Sequence, residues 1–245
     1  MAAQNLLSDT INFISPFCRY MSPSIGVSLM PILGIASIVR NIILSAPFQW
    51  SWNRIYDDSV VTAVGQQDYQ ADLYNFGYLE KASLQNAAGQ IWEIPRIKNN
   101  EPLAKSTQQA RPDALAVQIN NSGTDEVSTF LTLRFSAVPD AIYQVDLIYQ
   151  EAPYNFTALN NPWAPIPDSF SDVYNNMVMG YYMDSCQDGR ADRYIARGVA
   201  GLLARAQGLT ETDKALFAQS YMHFDMQQRI NQLRAQQGQQ AMGSR

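Results

Sequence analysis

The sequence predicts an α+β fold in which an antiparallel β-sandwich or β-barrel is inserted between helical segments. Apolar residues recur at three- and four-residue spacing near both ends of the chain, whereas between about Arg54 and Ala152 they alternate with polar residues. The 245 residues are 47% hydrophobic and 11% aromatic. Such a chain is long and apolar enough for a packed core, which excludes a disordered or collagen-like protein.

Two helices are predicted in residues 2–46. The apolar positions with helical spacing are Leu6, Leu7, Ile11 and Ile14, followed by Leu29, Leu33, Ala36, Val39 and Ile43. Pro47 ends the second helix because a residue before proline is pushed out of the α region. Residues 25–39 are too short to span a bilayer, which needs roughly 20 residues. No secretory signal pattern precedes Pro47, so we expect no membrane contact and synthesis in a cytoplasm.

Six strands are predicted after the helices, because the apolar period changes to two. Turn-forming residues, such as Gly65, Asn86 with Gly89, and Pro139 with Asp140, separate them. The predicted strands are Ser59–Val64, Gly77–Leu84, Ile91–Ile94, Ala114–Ile119, Thr129–Phe135 and Ile142–Gln150. Short strands at this spacing favour a small antiparallel sandwich or barrel.

The last third of the sequence returns to helical spacing. Four prolines in residues 151–167 indicate a linker, and Asp168 or Ser169 is placed to cap the helix that follows. A further helix is predicted from about Asp192 to Gln207, and a last one opens at Thr210. The predicted segments are therefore N-terminal helices in 1–53, an inserted β-domain in 54–152, a linker with helices in 153–209, and a C-terminal helix and tail in 210–245.

The low content of charged residues indicates a protein that buries much of its surface in an assembly. Only 16% of residues are charged and the net charge is −5, so no overall basic excess points to nucleic-acid binding. A chain of this charge would meet DNA only passively, for example as the wall of a channel. One local exception is a possible basic stripe of Arg190, Arg193, Arg197 and Arg205. A solvated or subunit-facing role is favoured there over contact with DNA phosphates or acidic neighbouring subunits.

No arrangement of residues predicts catalysis, a metal or a cofactor. His223 is the single histidine, and Cys18 and Cys186 are isolated, so neither a catalytic triad nor a zinc site can be assembled around them. Both cysteines are expected to be buried small hydrophobes. Phosphate-binding glycine motifs are also missing from the sequence. We therefore expect a protein that is not an enzyme; a carboxylate-based hydrolase is the remaining enzymatic alternative.

Phe48, Trp50 and Trp52 form an aromatic segment between the helices and the strands. Without flanking basic residues it is expected to be core at the junction and not a platform for stacking bases. The alternative function that these aromatics keep open is a β-sandwich protein that binds carbohydrate or a receptor. In that protein Trp50, Trp52 or Trp92 would stack on sugars.

Several segments, taken in their order and spacing, resemble one family. They are PFQWSWNR at Pro47–Arg54, GQQDY at Gly65–Tyr69, NFGYLEKA at Asn75–Ala82, the run Val138–Pro153, and the run Ile166–Tyr194. Together they span most of the chain and are similar to the head-to-tail adaptor proteins of tailed bacteriophages, also called connector, neck or upper tail-tube proteins. These segments carry packing and turns, and none of them carries chemistry.

The resemblance implies a helical bundle, built from the N- and C-terminal segments, with an inserted β-domain. It also implies a structural virion protein that forms a homo-oligomeric ring, commonly of twelve copies, between the portal protein and a downstream tail or nozzle protein. DNA passes through the centre of such a ring during ejection. The C-terminal segment of the family docks into the portal, which carries over here to Leu216, Phe217, Tyr221, Phe224, Ile230 and Leu233.

Overall fold

The computed structural model describes residues 5–17, 30–96, 105–120 and 128–219. It contains helices and antiparallel sheets, so the predicted α+β class is confirmed. The chain divides into two compact units, Met1–Phe170 and Ser171–Arg245. The seven strands found in these ranges belong to the first unit.

Two helices precede the strands, as the apolar spacing predicts. Helix α1 is Leu7–Ile14 and helix α2 is Met30–Leu44. The Asp9 carboxylate accepts a hydrogen bond from the Leu6 backbone N–H at 2.8 Å, which satisfies a donor at the start of α1. Within the described ranges, no helix is both long enough and apolar enough to cross a membrane.

The strands form two open antiparallel sheets. Their bounds are β1 Arg54–Val61, β2 Asp68–Tyr74, β3 Phe76–Gln85, β4 Ile91–Ile94, β5 Leu115–Asn120, β6 Ser128–Phe135 and β7 Gln144–Glu151. One sheet has the order β1-β7-β3-β4 and the other β2-β6-β5. Neither sheet closes on itself over the described strands, so the barrel alternative is wrong.

The inward-facing side chains of both sheets share one hydrophobic core. Leu84 and Leu147 of the four-stranded sheet and Leu73 and Leu133 of the three-stranded sheet are all fully buried members of it. The alternation of buried and exposed residues along the strands is the cause, because successive strand residues point to opposite faces. The β-domain therefore has the two-layer packing of a sandwich.

Strand β2 is the element that the sequence pattern misses. Its inward residues are Tyr69, Ala71 and Leu73, and it pairs with β6 from Asp68↔Arg134 to Tyr74↔Ser128. Alanine and aspartate are both uncommon in strands, so residues 65–75 look like a turn region. An ion pair between Arg134 Nε and Asp68 Oδ1 at 2.6 Å holds one end of this pairing and lowers the pKa of Asp68.

The second unit begins with a helical hairpin. Helix α3 is Ser171–Ser185 and helix α4 is Ala191–Arg205. The predicted cap at Asp168 or Ser169 is displaced, because Asp168–Phe170 forms a short 3-10 turn before α3. Asp168 accepts a hydrogen bond from the Asn5 backbone N–H at 3.1 Å.

Small residues let α3 and α4 approach closely. A Cβ added at Gly180 would lie 2.7 Å from the Ile195 backbone nitrogen, and one added at Gly198 would lie 3.1 Å from the Met177 backbone nitrogen. The turn between the helices carries Cys186, which is exposed. The expectation of a buried thiol is therefore wrong for Cys186, because the apolar spacing of α3 ends before this residue. Cys18 lies outside the described residues.

Candidate functional site

The aromatic segment before β1 is a stacked core at the junction of α2 and the sheets. The rings of Phe48 and Trp50 stack at 5.6 Å between centroids, and those of Trp50 and Trp52 at 5.5 Å. Phe170 meets both tryptophans edge-on, at 5.1 and 5.4 Å. The Trp50 indole N–H donates to the Ile43 carbonyl at the end of α2, at 2.6 Å. The prediction of core is confirmed for Phe48 and Trp50, whereas Trp52 is half-buried.

Gln150 on strand β7 binds the backbone of this aromatic segment. Its side chain is fully buried, and its amide oxygen accepts from the Trp50 backbone N–H at 3.2 Å. The same side chain donates through Nε2 to the Trp50 carbonyl at 3.1 Å and to Glu80 Oε2 at 2.8 Å. Glu80 also forms an ion pair with Arg54. The side-chain amide of Gln150 therefore satisfies both the backbone N–H and the carbonyl of buried Trp50, as a neighbouring strand would.

Arg40 is a second buried polar side chain that links separate elements, as Gln150 does, and each is here called a joint. The sequence pattern does not identify Arg40. It is the one charged residue of α2, and its side chain is fully buried. The guanidinium carbon lies 3.4 Å from the centre of the Tyr154 ring, and Nη1 donates to the Tyr154 carbonyl at 3.3 Å. Burial raises the pKa of Glu151, and the nearby charge of Arg40 partly offsets that rise. A lone arginine in an otherwise apolar helix is the sequence signal that marks such a position.

The segment after β7 is fixed to α2 by Arg40 and by its neighbour one turn earlier. The Phe156 backbone N–H donates to Ser37 Oγ at 2.9 Å, and the Phe156 ring lies 4.8 Å from the Arg40 guanidinium carbon. The proline-rich linker thus packs along α2 through specific polar contacts and an arginine–aromatic stack.

The four arginines of the possible basic stripe divide into two pairs. Arg190 Nη2 lies 2.7 Å from Asp188 Oδ2, and Arg205 Nη2 lies 3.0 Å from Asp172 Oδ1 on α3. Hydrogen bonds from Arg190 lower the pKa of Asp188 to about 2. Arg193 and Arg197 are instead exposed on α4. Two of the four arginines therefore serve the hairpin itself, and two face solvent.

The predicted portal-facing segment is described only at its start. A helix, α5, begins at residue 211 and is described as far as 219. As predicted, Thr210 caps it, since Oγ1 accepts from the Asp213 backbone N–H at 3.1 Å. Leu216 is 59% exposed and Phe217 is half-buried. Tyr221, Phe224, Ile230 and Leu233 lie outside the described residues, as does His223.

The three tryptophans of the carbohydrate-binding alternative are largely covered. Trp50 is 4% exposed, with Phe48 and Trp52 stacked beside it. Trp52 and Trp92 are half-buried. The guanidinium of Arg111 lies 4.7 Å from the centre of the Trp92 ring. Trp50 is therefore too deeply buried to stack on a sugar.

The described part of the chain contains no group of three or more side chains placed to hold a metal ion. No protein-family model matches the chain, and a comparison with curated proteins also gives no match. The argument for a function therefore rests on the residues and contacts described above.

Proposed function

We propose that this protein is a non-enzymatic structural virion component, a head-to-tail adaptor of a tailed bacteriophage. In this proposal, copies of the chain form a ring, commonly of twelve subunits, between the portal protein and a downstream tail or nozzle protein. DNA passes through the ring during ejection and touches it only passively. The observation that carries the proposal is the order of elements, because every strand of the described residues falls between helices α1 and α2 before it and helices α3 to α5 after it.

The two joints described above support a structural role. In this proposal the helices and the β-domain of each subunit stay fixed to one another while DNA passes. Buried Gln150 and buried Arg40 tie the end of α2, strand β7 and the linker together through side-chain contacts. In the proposed adaptor, the N- and C-terminal segments form a helical bundle with the β-domain as an insertion.

The start of α5 supports docking to a portal. Leu216 is a large apolar side chain that is 59% exposed on a capped helix. A helix with exposed apolar residues gains stability by laying that face into a groove of a partner, which is the helix-in-groove mode of recognition. The partner in this proposal is the portal protein.

The test is electron microscopy with mass measurement of the purified chain mixed with the portal of the phage that encodes it. A closed ring that caps the portal is the expected result. Deletion of residues 215–245 is expected to abolish capping, because it removes the docking segment. Intact capping by the deleted chain would disprove the docking role, and lack of any association by the full chain would disprove the adaptor function.

A point variant sharpens this test, since a deletion changes more than one property of the chain. Leu216→Asp places a charge on the proposed docking face and is expected to weaken portal binding at least about tenfold, the cost of burying an unpaired charge. Ile142→Asp is the matched control, because Ile142 is 64% exposed and lies in the β-domain. Equal loss of binding in both variants would count against docking through α5.

A further inference from the structure

The outward side of α4 has an unusual composition for a solvent-facing helix. Its exposed residues are Arg193, Ala196, Arg197, Ala200 and Ala204, here called the α4 arginine face. Arg193 and Arg197 are four residues apart, so they lie one above the other on successive turns. Within the described part of the chain, neither forms an ion pair with a carboxylate. Alanine side chains between two cations allow another surface to come close.

The β-domain carries the opposite charge along one edge. Strands β1 and β2 are the outer strands of their sheets and contact each other, so they lie on the same side of the domain. Asp58 on β1 and Asp72 on β2 are exposed, and Asp57 on β1 is half-buried; these three carboxylates are here called the acidic edge. None of these carboxylates takes part in an ion pair with another described residue.

The local structure of β1 keeps this edge open to another protein surface. The pairing of β1 with β7 is interrupted by a bulge between Asp57 and Val60, so Asp58 falls at the bulge and is exposed. Ser59 donates to Asp57 Oδ1 from both its backbone N–H and its hydroxyl, at 3.0 and 2.6 Å. These bonds fix the Asp57 carboxylate in place. A bulged, charged edge resists pairing with a further strand, which leaves side-chain contacts as its mode of recognition.

We propose that the α4 arginine face of one copy docks on the acidic edge of a second copy of this chain. The inference rests on the proposed function and names the contact between neighbouring subunits of the ring. The two surfaces are different patches of the same chain, so the contact is head-to-tail, which is the type that generates a ring when its rotation closes. Charge complementarity selects the partner and the register of the contact.

A second copy fits these residues better than DNA does. Only two arginines of α4 are unpaired with carboxylates of the described residues, and binding to the DNA backbone gains strength from many phosphate contacts. Asp192 lies directly beside Arg193 in the first turn of α4, and the chain as a whole carries a charge of −5. The same chain also supplies the required counter-charges on a bulged edge.

Charge reversal on each surface, alone and together, tests the contact. The variants are Arg193→Glu with Arg197→Glu, Asp58→Arg with Asp72→Arg, and the combination of all four. Self-association of the full chain is measured by sedimentation velocity. We expect wild-type association to weaken as NaCl rises from about 20 to about 500 mM, because screening shortens the range of exposed charges. Each double reversal should weaken it about tenfold, and the combination should restore it to within about threefold of wild type.

A matched control separates this contact from a general effect of charge. Arg96→Glu with Lys105→Glu changes the net charge from −5 to −9, as the α4 reversal does, at exposed positions that belong to neither the α4 arginine face nor the acidic edge. It should leave self-association unchanged. A second readout is oxidative cross-linking of an Arg197→Cys chain mixed with an Asp58→Cys chain, both in a Cys18→Ser, Cys186→Ser background. A mixed dimer is the expected product.

The outcomes are distinct. Failure of the combined reversal to restore association, or absence of both salt-sensitive association and the mixed dimer, overturns the proposal. Loss of retention on a DNA column in the α4 variant, with no change in self-association, would instead assign the face to DNA. Restored self-association without capping of the portal would refute the adaptor function and leave the contact between copies standing.

Discussion

The close approach of α3 and α4 makes a single added methyl group a sharp test of the second unit. In Gly180→Ala, the new Cβ would lie 2.7 Å from the Ile195 backbone nitrogen, whereas ordinary contact begins at 3.4 Å. The two helices must therefore separate by 0.7 Å, the difference of these two distances. Because backbone cannot turn aside as a side chain can, overpacking should cost about 2–3 kcal/mol.

Part of this cost is offset, because alanine favours a helix over glycine by about 1 kcal/mol. The net loss in the free energy of unfolding is then about 1–2 kcal/mol. Gly189→Ala is the control in the same unit, since nothing lies within 4 Å of its added Cβ. It should stabilise the protein by about 0.4–1 kcal/mol by restricting the unfolded chain.

The assay is urea unfolding followed by circular dichroism at 222 nm, with both variants compared to wild type. The expected order of stability is Gly189→Ala above wild type and Gly180→Ala below it. A Gly180→Ala variant as stable as Gly189→Ala would refute the reasoning, because it would mean that α3 and α4 do not meet at this point.

Three further predictions concern the joints and the exposed thiol. Gln150→Leu should lower the free energy of unfolding by about 2 kcal/mol or more in urea titrations, because the buried Trp50 N–H and carbonyl lose their partner. Glu151→Gln should stabilise the protein near neutral pH, with the gain disappearing below pH 4.5, because a raised pKa means that folding favours the protonated acid; equal gains at pH 4 and pH 7 would contradict this. Cys186 should react rapidly with a maleimide in the native protein, as located by mass spectrometry, and Cys186→Ser should remove that label.

Structural features that depend only on residues close together in the chain were predictable from the sequence. Strand β4 occupies the predicted range Ile91–Ile94, because Gly89 before it and Pro95 after it mark its limits. The cap of α5 at Thr210 also follows from neighbouring residues alone. The two N-terminal helices and their approximate bounds come from apolar spacing, which needs no knowledge of distant contacts.

Features that depend on contacts distant in sequence were not predictable. Helical spacing places Arg205 with the other arginines, but its partner Asp172 lies 33 residues away on α3. Gln150 is an ordinary polar residue in a strand pattern until Trp50, 100 residues earlier, is folded against it. By contrast, the burial of Phe48 and Trp50 is predictable, because large rings at alternating positions without basic neighbours favour core over a stacking platform.

The Gln150 joint also determines what a cut in the chain would do. A protease that cleaves next to the exposed Gln49 would break the peptide chain between the end of α2 and strand β1. The two fragments would still be held together, because Trp50 bonds to Ile43 on one side of the cut and to Gln150 on the other. A nicked chain should therefore migrate as two pieces on a denaturing gel yet elute as one particle under native conditions. The connection between α2 and the four-stranded sheet is therefore held by side-chain hydrogen bonds as well as by the peptide chain.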